Sequence, residues 1–199
     1  MKTKLGLYGG TFAPVHNGHI RAALEFKDQF ALDKLLIMPV AVPPHKSLPT
    51  GDSAYHRLNM LKLAFEDYSS VEISTYELDK PGTSYTVDTL EHFYNDKVHI
   101  HFLCGTDMLL TMHQWRQPDR IAKLATLVYT WRDNSTPDSD KRVMQQVEFL
   151  KTEFGFNIEE LRIEPLELSS TLVREAEDKS PYLPEKVYSY IKEKNLYVH

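Results

Sequence analysis

The sequence is short of cysteine, of long apolar runs and of positive charge, and each shortage excludes a class of protein. Its 199 residues include one cysteine, Cys104, so a disulfide framework is excluded and a reducing cytoplasm is expected. No apolar run reaches the ~18 residues of a transmembrane helix, and the run near the N-terminus is too short for a signal peptide. With 28 acidic and 23 basic residues the formal charge is −5, which argues against a general nucleic-acid binder but allows a single nucleotide to bind.

Short apolar segments bounded by turn residues indicate buried strands. They are rich in valine, isoleucine, leucine and aromatic residues, as strands covered on both faces are. Strands are predicted at residues 5–8, 35–40, 98–104, 125–131 and 158–163. Residues 71–78 are predicted to form a strand outside the main order of strands, and the polar residues 133–140 a surface loop.

Helical patterns alternate with these strands. Helices are predicted at residues 18–30, 54–65, 86–94, 107–123 (with a break before Pro118), 138–154, 171–178 and 184–194. The alternation implies right-handed crossovers and a parallel sheet. We therefore expect one α/β domain over residues 1–199, a doubly wound parallel sheet with a small helical C-terminal part from about residue 165. Ligands of such sheets bind beyond the carboxyl ends of the strands.

The segment after the first strand, GGTFAPVHNGH at residues 9–19, is typical of a ligand site. Gly9 and Gly10 allow a tight turn and close approach of a ligand to the backbone. His16 precedes the next helix and His19 lies in its first turn, so both would face an anion drawn to the helix N-terminus. Two alternatives stay open: the histidines are polar residues near a cap, or they chelate a metal. A metal needs a third ligand, and the sequence has no H-E-x-x-H motif or Cys/His cluster.

Polar residues also follow the second and third strands. Two prolines stiffen the PPHK loop, where Lys46 is a candidate phosphate contact or a solvated lysine. Gly105 and Asp107 follow the third strand, and the aspartate is a candidate ribose ligand or a helix cap. Trp115 is a candidate stacking surface or a core residue.

The segment SSTLVR at residues 169–174 follows the last predicted strand and opens a helix. Ser169, Ser170 and Thr171 are typical cap residues, and that role alone would explain them. The same hydroxyl and N–H groups also form a seat for an anion, and Arg174 adds a positive charge one turn on. Two helix N-termini that could each bind phosphate, at the same edge of the sheet, indicate a phosphate site more strongly than either alone.

These motifs together resemble a known family. GGTFAPVHNGH is similar to the T/H-x-G-H signature of the nucleotidyltransferase superfamily, and SSTLVR to its C-terminal I-S-S-T-x-x-R signature. The segments PVAVPPHKS, KPGTSYTVDTL, LCGTDMLLTMHQW and LPEKVYSYIKEKNLY resemble the bacterial nicotinate-nucleotide adenylyltransferases, in order over essentially the whole chain. The chain departs from the family at Ala13, where aspartate is usual, so a side-chain contact or a contact to the water shell of a metal would be lost.

The resemblance implies a Rossmann-like nucleotidyltransferase fold and a reaction. AMP would pass from ATP to nicotinate mononucleotide, giving deamido-NAD and pyrophosphate. Mg²⁺ would arrive with ATP, and no metal site made of protein side chains is expected. The protein would be cytoplasmic, a monomer or homodimer, with no nucleic-acid or membrane partner.

The resemblance also implies roles for individual residues. The catalytic residues would be His16, His19, Lys46 and Arg174. The ATP-binding residues would be Gly9, Gly10, Thr11, Phe12, His16, His19, Gly105, Asp107, Ser169, Ser170, Thr171 and Arg174. The residues that bind the nicotinate nucleotide would be Thr11, Lys46, Thr86, Trp115 and Arg132.

Two alternatives remain beside this interpretation. Phosphopantetheine adenylyltransferases share both signatures, but they are shorter and lack the SYTVDTL and tryptophan segments. A non-catalytic nucleotide sensor on the same fold is suggested by Ala13. An aminoacyl-tRNA synthetase is disfavoured because the chain is short and acidic and has no K-M-S-K-S, and a P-loop kinase because it has no G-x-x-x-x-G-K-[ST].

Overall fold

A computed structural model describes residues 2–41, 53–80, 82–131, 136–163 and 168–198. Within these ranges six strands form one parallel sheet. The strands are β1 (Thr3–Gly10), β2 (Lys34–Pro39), β3 (Val71–Ile73), β4 (Val98–Gly105), β5 (Ala125–Thr130) and β6 (Ile158–Glu160). Their order in the sheet is β3-β2-β1-β4-β5-β6, so the winding direction reverses between β1 and β4. The predicted doubly wound parallel sheet is confirmed, and its switch point lies at the end of β1.

Helices follow the strands and cover both faces of the sheet. The α-helices are α1 (Asn17–Gln29), α2 (Ala54–Phe65), α3 (Tyr76–Asp79), α4 (Thr86–Phe93), α5 (Thr106–Thr111), α6 (Pro118–Leu124), α7 (Pro137–Phe154), α8 (Ser170–Glu175) and α9 (Glu185–Glu193). Short 3₁₀ helices span Met112–Gln114 and Ser180–Tyr182. The small helical C-terminal part is therefore present.

Two apolar clusters form the core, one on each face of the sheet. The first includes Phe26 of α1, Met60 of α2 and Val187 of α9, so the C-terminal helices share a core with the N-terminal ones. The second includes Leu109 of α5 and Leu150 of α7. Burial on both faces explains why the central strands are apolar throughout rather than alternating.

The prediction for residues 71–78 is wrong in two respects. Strand β3 belongs to the main sheet, where it pairs with β2 at the edge, and it ends at Ile73. The extended stretch ends at Ser74, because the Ser74 hydroxyl accepts the Tyr76 N–H at 3.3 Å. Helix α3 begins at Tyr76. A short side chain that hydrogen-bonds the backbone two residues on favours a turn over a strand.

Two boundaries also differ from prediction. Helix α7 begins at Pro137 within the predicted loop, because the Thr136 hydroxyl accepts the Ser139 N–H at 3.2 Å and proline suits the first helical position. The predicted break before Pro118 is confirmed, but the segment before it is α5 and a 3₁₀ turn rather than one helix. Gln117, in the left-handed region at φ 54°, separates the 3₁₀ turn from α6.

Candidate active site

A cavity of about 630 Å³ opens beyond the carboxyl ends of the central strands, where Gly10, Met38 and Thr130 line it. Twelve of the predicted site residues also line it. They are Gly9, Gly10, Thr11, Phe12, His16, His19, Thr86, Trp115, Ser169, Ser170, Thr171 and Arg174. A shallower depression of about 530 Å³, between α1, α2 and α9, contains none of the predicted site residues.

The turn after β1 is made by Phe12 rather than by the two glycines. Gly9 and Gly10 are the last residues of the strand and pair with β2. Phe12 lies in the left-handed region at φ 52°, which is strained for a residue with a side chain. Its ring folds back so closely that a Cβ on Gly10 would come within 2.9 Å of it. Gly10 is therefore needed for space, whereas the turn itself is carried by a strained aromatic residue.

The two histidines cap α1 and face the cavity together. His16 is the N-cap residue and is buried, and its N–H donates to Nδ1 of His19 at 3.2 Å. The two rings stack with centroids 3.7 Å apart, and the rings of Phe12 and His19 pack in a T-shaped arrangement with centroids 5.0 Å apart. Because Nδ1 of His19 accepts a hydrogen bond, the neutral ring carries its proton on Nε2. His19 is thus held as a hydrogen-bond donor through Nε2.

The C-terminal motif is hydrogen-bonded to the turn after β1, across more than 150 residues of sequence. Nη1 of Arg174 donates to the carbonyl of Ala13 at 2.6 Å, and the Ser170 hydroxyl donates to the carbonyl of Pro14 at 2.9 Å. Nη2 of Arg174 donates to the Thr171 hydroxyl at 3.0 Å, and Ser169 caps α8. Arg174 therefore fixes the first motif as well as bringing positive charge to the cavity.

Arg57 is a buried residue of this region that the sequence analysis missed. Its guanidinium is fully buried and donates to the carbonyls of Thr11 at 3.0 Å, Val40 at 2.7 Å and Ala41 at 3.3 Å. It thereby ties the segment after β1 to the segment after β2. One signal was available: an arginine four residues before Leu61 lies on the apolar face of α2.

Thr86 and Trp115 come from separate segments of the cavity wall. Thr86 begins α4, and Trp115 follows the first 3₁₀ helix, where its Nε1–H donates to the Thr111 hydroxyl at 3.3 Å. The guanidinium of Arg116 lies 4.8 Å from the ring centroid of Tyr85, which joins the two segments by a cation–π contact. The indole is held in place with part of its surface exposed.

Glu77 of α3 is a second missed residue, and its carboxyl group is buried in the cavity wall. The Thr89 hydroxyl donates to its Oε1 at 2.7 Å. Burial raises the pKa of Glu77 above its usual range, against the opposing effects of hydrogen bonds from Thr89 and Ser84. It was missed because residues 71–78 were predicted to be extended.

Comparison with known proteins shows which family the chain belongs to. The cytidylyltransferase-like family model matches residues 7–176. A relative from Clostridium botulinum (strain Alaska E43) named "Probable nicotinate-nucleotide adenylyltransferase" is 38% identical over 198 residues, covering 98% of each chain. One of the same name from Listeria monocytogenes (serotype 4a) is 36% identical over 200 residues, covering 99% of this chain and 98% of its own. The chain belongs to the nicotinate-nucleotide adenylyltransferase family.

Solved structures of other proteins share the fold. The nicotinic acid mononucleotide adenylyltransferase of Plasmodium falciparum, complexed with NaAD, matches with a TM-score of 0.77 and 17% identity, over 99% of this chain and 98% of that one. The same enzyme complexed with APC gives a TM-score of 0.76. The family resemblance and the Rossmann-like nucleotidyltransferase fold inferred from the motifs are confirmed.

Two described residues predicted for this adenylyltransferase site do not line the cavity, and two further predicted residues cannot be placed against it. Gly105 ends β4 and Asp107 is exposed in the first turn of α5, and neither is among the described residues that line the cavity. Lys46 and Arg132 lie outside the described residues. Ala13, the departure from the family, is buried and contributes its carbonyl to Arg174.

Most of the titratable side chains that line the adenylyltransferase cavity are histidines and arginines rather than carboxylic acids. Glu77 is the one carboxylic acid among the described lining residues, beside His16, His19, Arg116 and Arg174. Within the described ranges no group of three or more His, Cys, Asp or Glu side chains could hold a metal ion. No helix in the described part of the chain is long and apolar enough to cross a membrane.

Proposed function

We propose that this protein catalyses transfer of AMP from ATP to nicotinate mononucleotide, giving deamido-NAD and pyrophosphate. The observation that carries the proposal is the hydrogen bonding of the two signature motifs to each other. Arg174 and Ser170 bond the carbonyls of Ala13 and Pro14, so both motifs line one cavity. The same cavity contains Thr86 and Trp115, where the pyridine ring would bind. We further propose that residues 1–199 act as one domain in the reducing cytoplasm.

The reaction needs alignment and charge neutralisation rather than a protein nucleophile. A phosphate oxygen of nicotinate mononucleotide attacks the α-phosphorus of ATP in line, a P–O bond forms, and the bond to the β-phosphate oxygen breaks as pyrophosphate leaves. Negative charge increases on the bridging and leaving oxygens, so donors fixed beforehand lower the barrier. His19 would donate through Nε2, His16 and Arg174 would lie beside the phosphates, and Lys46 would add charge.

The nucleotides would divide the cavity between the motifs and the α4 wall. The backbone at Gly9 to Phe12 and the hydroxyls of residues 169–171 would contact ATP, with Gly105 and Asp107 near its sugar. Thr86 would donate to the nicotinate carboxylate, Trp115 would stack on the ring, and Thr11, Lys46 and Arg132 would contact the rest of the mononucleotide. A carboxylate is best recognised by hydroxyl and N–H donors, which Thr86 at the start of α4 supplies.

Mg²⁺ would enter as part of the ATP substrate. The donors of the cavity are imidazoles, hydroxyls and guanidinium groups, a set that suits phosphate oxygens better than a hard cation. The ion would be held by phosphates and water and would neutralise charge on the departing pyrophosphate. Ala13 leaves no carboxylate at its position to reach that water shell.

A pyrophosphate-release assay tests the proposal. The purified chain with ATP and Mg²⁺ should release pyrophosphate with nicotinate mononucleotide and not with phosphopantetheine. We expect kcat/KM for nicotinate mononucleotide to exceed that for nicotinamide mononucleotide by more than about tenfold, because unmatched polar contacts typically cost over ~1.4 kcal/mol. Release with phosphopantetheine alone would favour that rival enzyme, and no release with any acceptor would favour a sensor.

Two variants separate recognition of the carboxylate from recognition of the ring. Thr86→Ala should narrow the acid-to-amide ratio of kcat/KM by about tenfold or more, because one charge-assisted hydrogen bond is lost. Trp115→Ala should raise KM for both substrates by a similar factor, because stacking does not distinguish an acid from an amide. An unchanged ratio in Thr86→Ala, or a changed ratio in Trp115→Ala, would contradict these assignments.

A further inference from the structure

Glu77 is a buried carboxyl group whose two oxygens have different surroundings. The residue is 6% exposed and lines the cavity, and Oε1 accepts from the Thr89 hydroxyl at 2.7 Å. Oε2 is fully buried and has no hydrogen-bond partner among the described residues. An ionised carboxylate in this position would leave a charged oxygen without a donor in a low-dielectric wall, which is costly. A protonated carboxyl, with Oε1 as the accepting carbonyl and the proton on Oε2, avoids the cost of a buried charge at this position.

The charges around Glu77 do not offset this cost. Lys80 is the charged group that lowers the pKa of Glu77, and its ammonium is already paired with Asp88 at 2.7 Å. The guanidinium of Arg116 lies over the Tyr85 ring, and Arg116 is not among the groups that shift the pKa of Glu77. The remaining groups that act on Glu77 are the neutral hydroxyls of α4 and the loop before it. Burial is the largest influence on the pKa of Glu77, and the net direction is upward.

Glu77 faces the part of the cavity where the pyridine substituent would bind. Its partner Thr89 lies three residues after Thr86 on α4, so the two hydroxyls share one face of the helix, and both line the cavity. A carboxylate recognised by Thr86 would therefore come close to the carboxyl group of Glu77. Two ionised carboxylates at such a distance repel, whereas a neutral acid and a carboxylate do not.

We propose that Glu77 is a specificity-determining residue that lines this cavity as a neutral acid. Its ionisation would weaken binding of the acid substrate relative to binding of the amide. The inference rests on the proposed function, since it concerns the acceptor of that reaction. Below the pKa of Glu77 the wall is neutral and accepts a carboxylate. Above that pKa, the wall carries a negative charge that repels the carboxylate of nicotinate but has little effect on binding of the neutral amide of nicotinamide.

The acid-to-amide ratio of kcat/KM, measured from about pH 6 to about pH 9.5, isolates this effect. The two substrates carry the same phosphate and ribose and both react with ATP. Titration of these groups, and of His16 and His19, therefore cancels in the ratio. The nicotinate carboxylate stays ionised throughout. We expect the ratio to fall by about tenfold or more as pH rises, because a unit charge several ångströms away at an effective dielectric of ~20 changes binding by that factor or more.

Three variants complete the test. Glu77→Gln should make the ratio independent of pH, because its side chain cannot ionise. Thr89→Val removes a donor that stabilises the carboxylate, so the fall in the ratio should move to higher pH. Glu72→Gln, at an exposed glutamate of β3 paired with Lys34, should follow the wild type.

The outcomes separate this inference from the proposed function. Wild-type turnover of the acid with a ratio that does not change with pH would overturn the role of Glu77 alone, as would a Glu77→Gln profile that follows the wild type. A shift to lower pH in Thr89→Val would do the same. If the wild type does not use nicotinate mononucleotide at neutral pH, the proposed function itself fails. Circular-dichroism melts show whether each variant is folded.

Discussion

At the scale of single residues, His19 shows how a backbone contact sets the chemistry of a side chain. The His16 N–H donates to its Nδ1, which fixes the neutral tautomer with the proton on Nε2. The stacked His16 ring and the Phe12 ring then limit the orientations of the imidazole. A donor fixed in this way needs no reorganisation when charge develops on a phosphate.

Replacing His19 by alanine should therefore lower kcat by about 10²- to 10³-fold, the usual effect of removing one preorganised donor. Pyrophosphate release at saturating ATP and nicotinate mononucleotide measures the loss. His92→Ala, at an exposed histidine of α4, is the matched control and should keep wild-type turnover. A folded His19→Ala variant with near-normal kcat would contradict the role given to this residue.

At the scale of elements, α2 positions the site without contributing a lining residue to the described cavity. Its one buried arginine, Arg57, holds the segments after β1 and β2 by three backbone carbonyls. These segments follow two adjacent parallel strands. Without Arg57, only the sheet would hold them in position relative to each other. The helix thus connects the glycine-rich motif to the segment that leads toward Lys46.

The change Arg57→Met should lower the free energy of unfolding by about 3 kcal/mol or more, because it leaves three partly buried carbonyls without the donors of a buried guanidinium. Urea denaturation monitored by tryptophan fluorescence measures it. Arg120→Ala is the control, because Arg120 forms an exposed ion pair with Glu91 at 2.8 Å and should cost less than about 1 kcal/mol. Equal losses in the two variants would mean that Arg57 does not tie the segments together.

At the scale of the whole molecule, burial of the sheet on both faces makes stability depend on pH. His101 of β4 is 6% exposed, and its Nδ1 has no hydrogen-bond partner among the described residues. Burial, with further contributions from nearby His99 and Lys4, lowers the pKa of His101 from 6.5 to about 4. Between these values the unfolded chain binds a proton that the folded protein does not.

Stability should therefore fall as pH decreases from about 6.5 to about 4, by up to about 3 kcal/mol from this residue. Urea denaturation at several pH values in this window measures the slope. His101→Gln cannot bind the proton in either state, so its stability should change less with pH than that of the wild type. If the two slopes are equal, the acid sensitivity comes from other groups.

The sequence by itself determined the class of fold, the motifs and the edge of the sheet where they meet. Strand and helix periodicities are local, and the motifs at residues 9–19 and 169–174 are contiguous, so both can be read along the chain. The strained Phe12 turn, the position of β3, and the contacts of Arg57 and Glu77 could not be predicted in this way. Each depends on contacts with residues distant in sequence, as between Arg57 and Thr11. Only the tertiary structure decided them. Arg57 reaches its carbonyls, and the carboxyl group of Glu77 is buried, only because separate elements of the chain pack together.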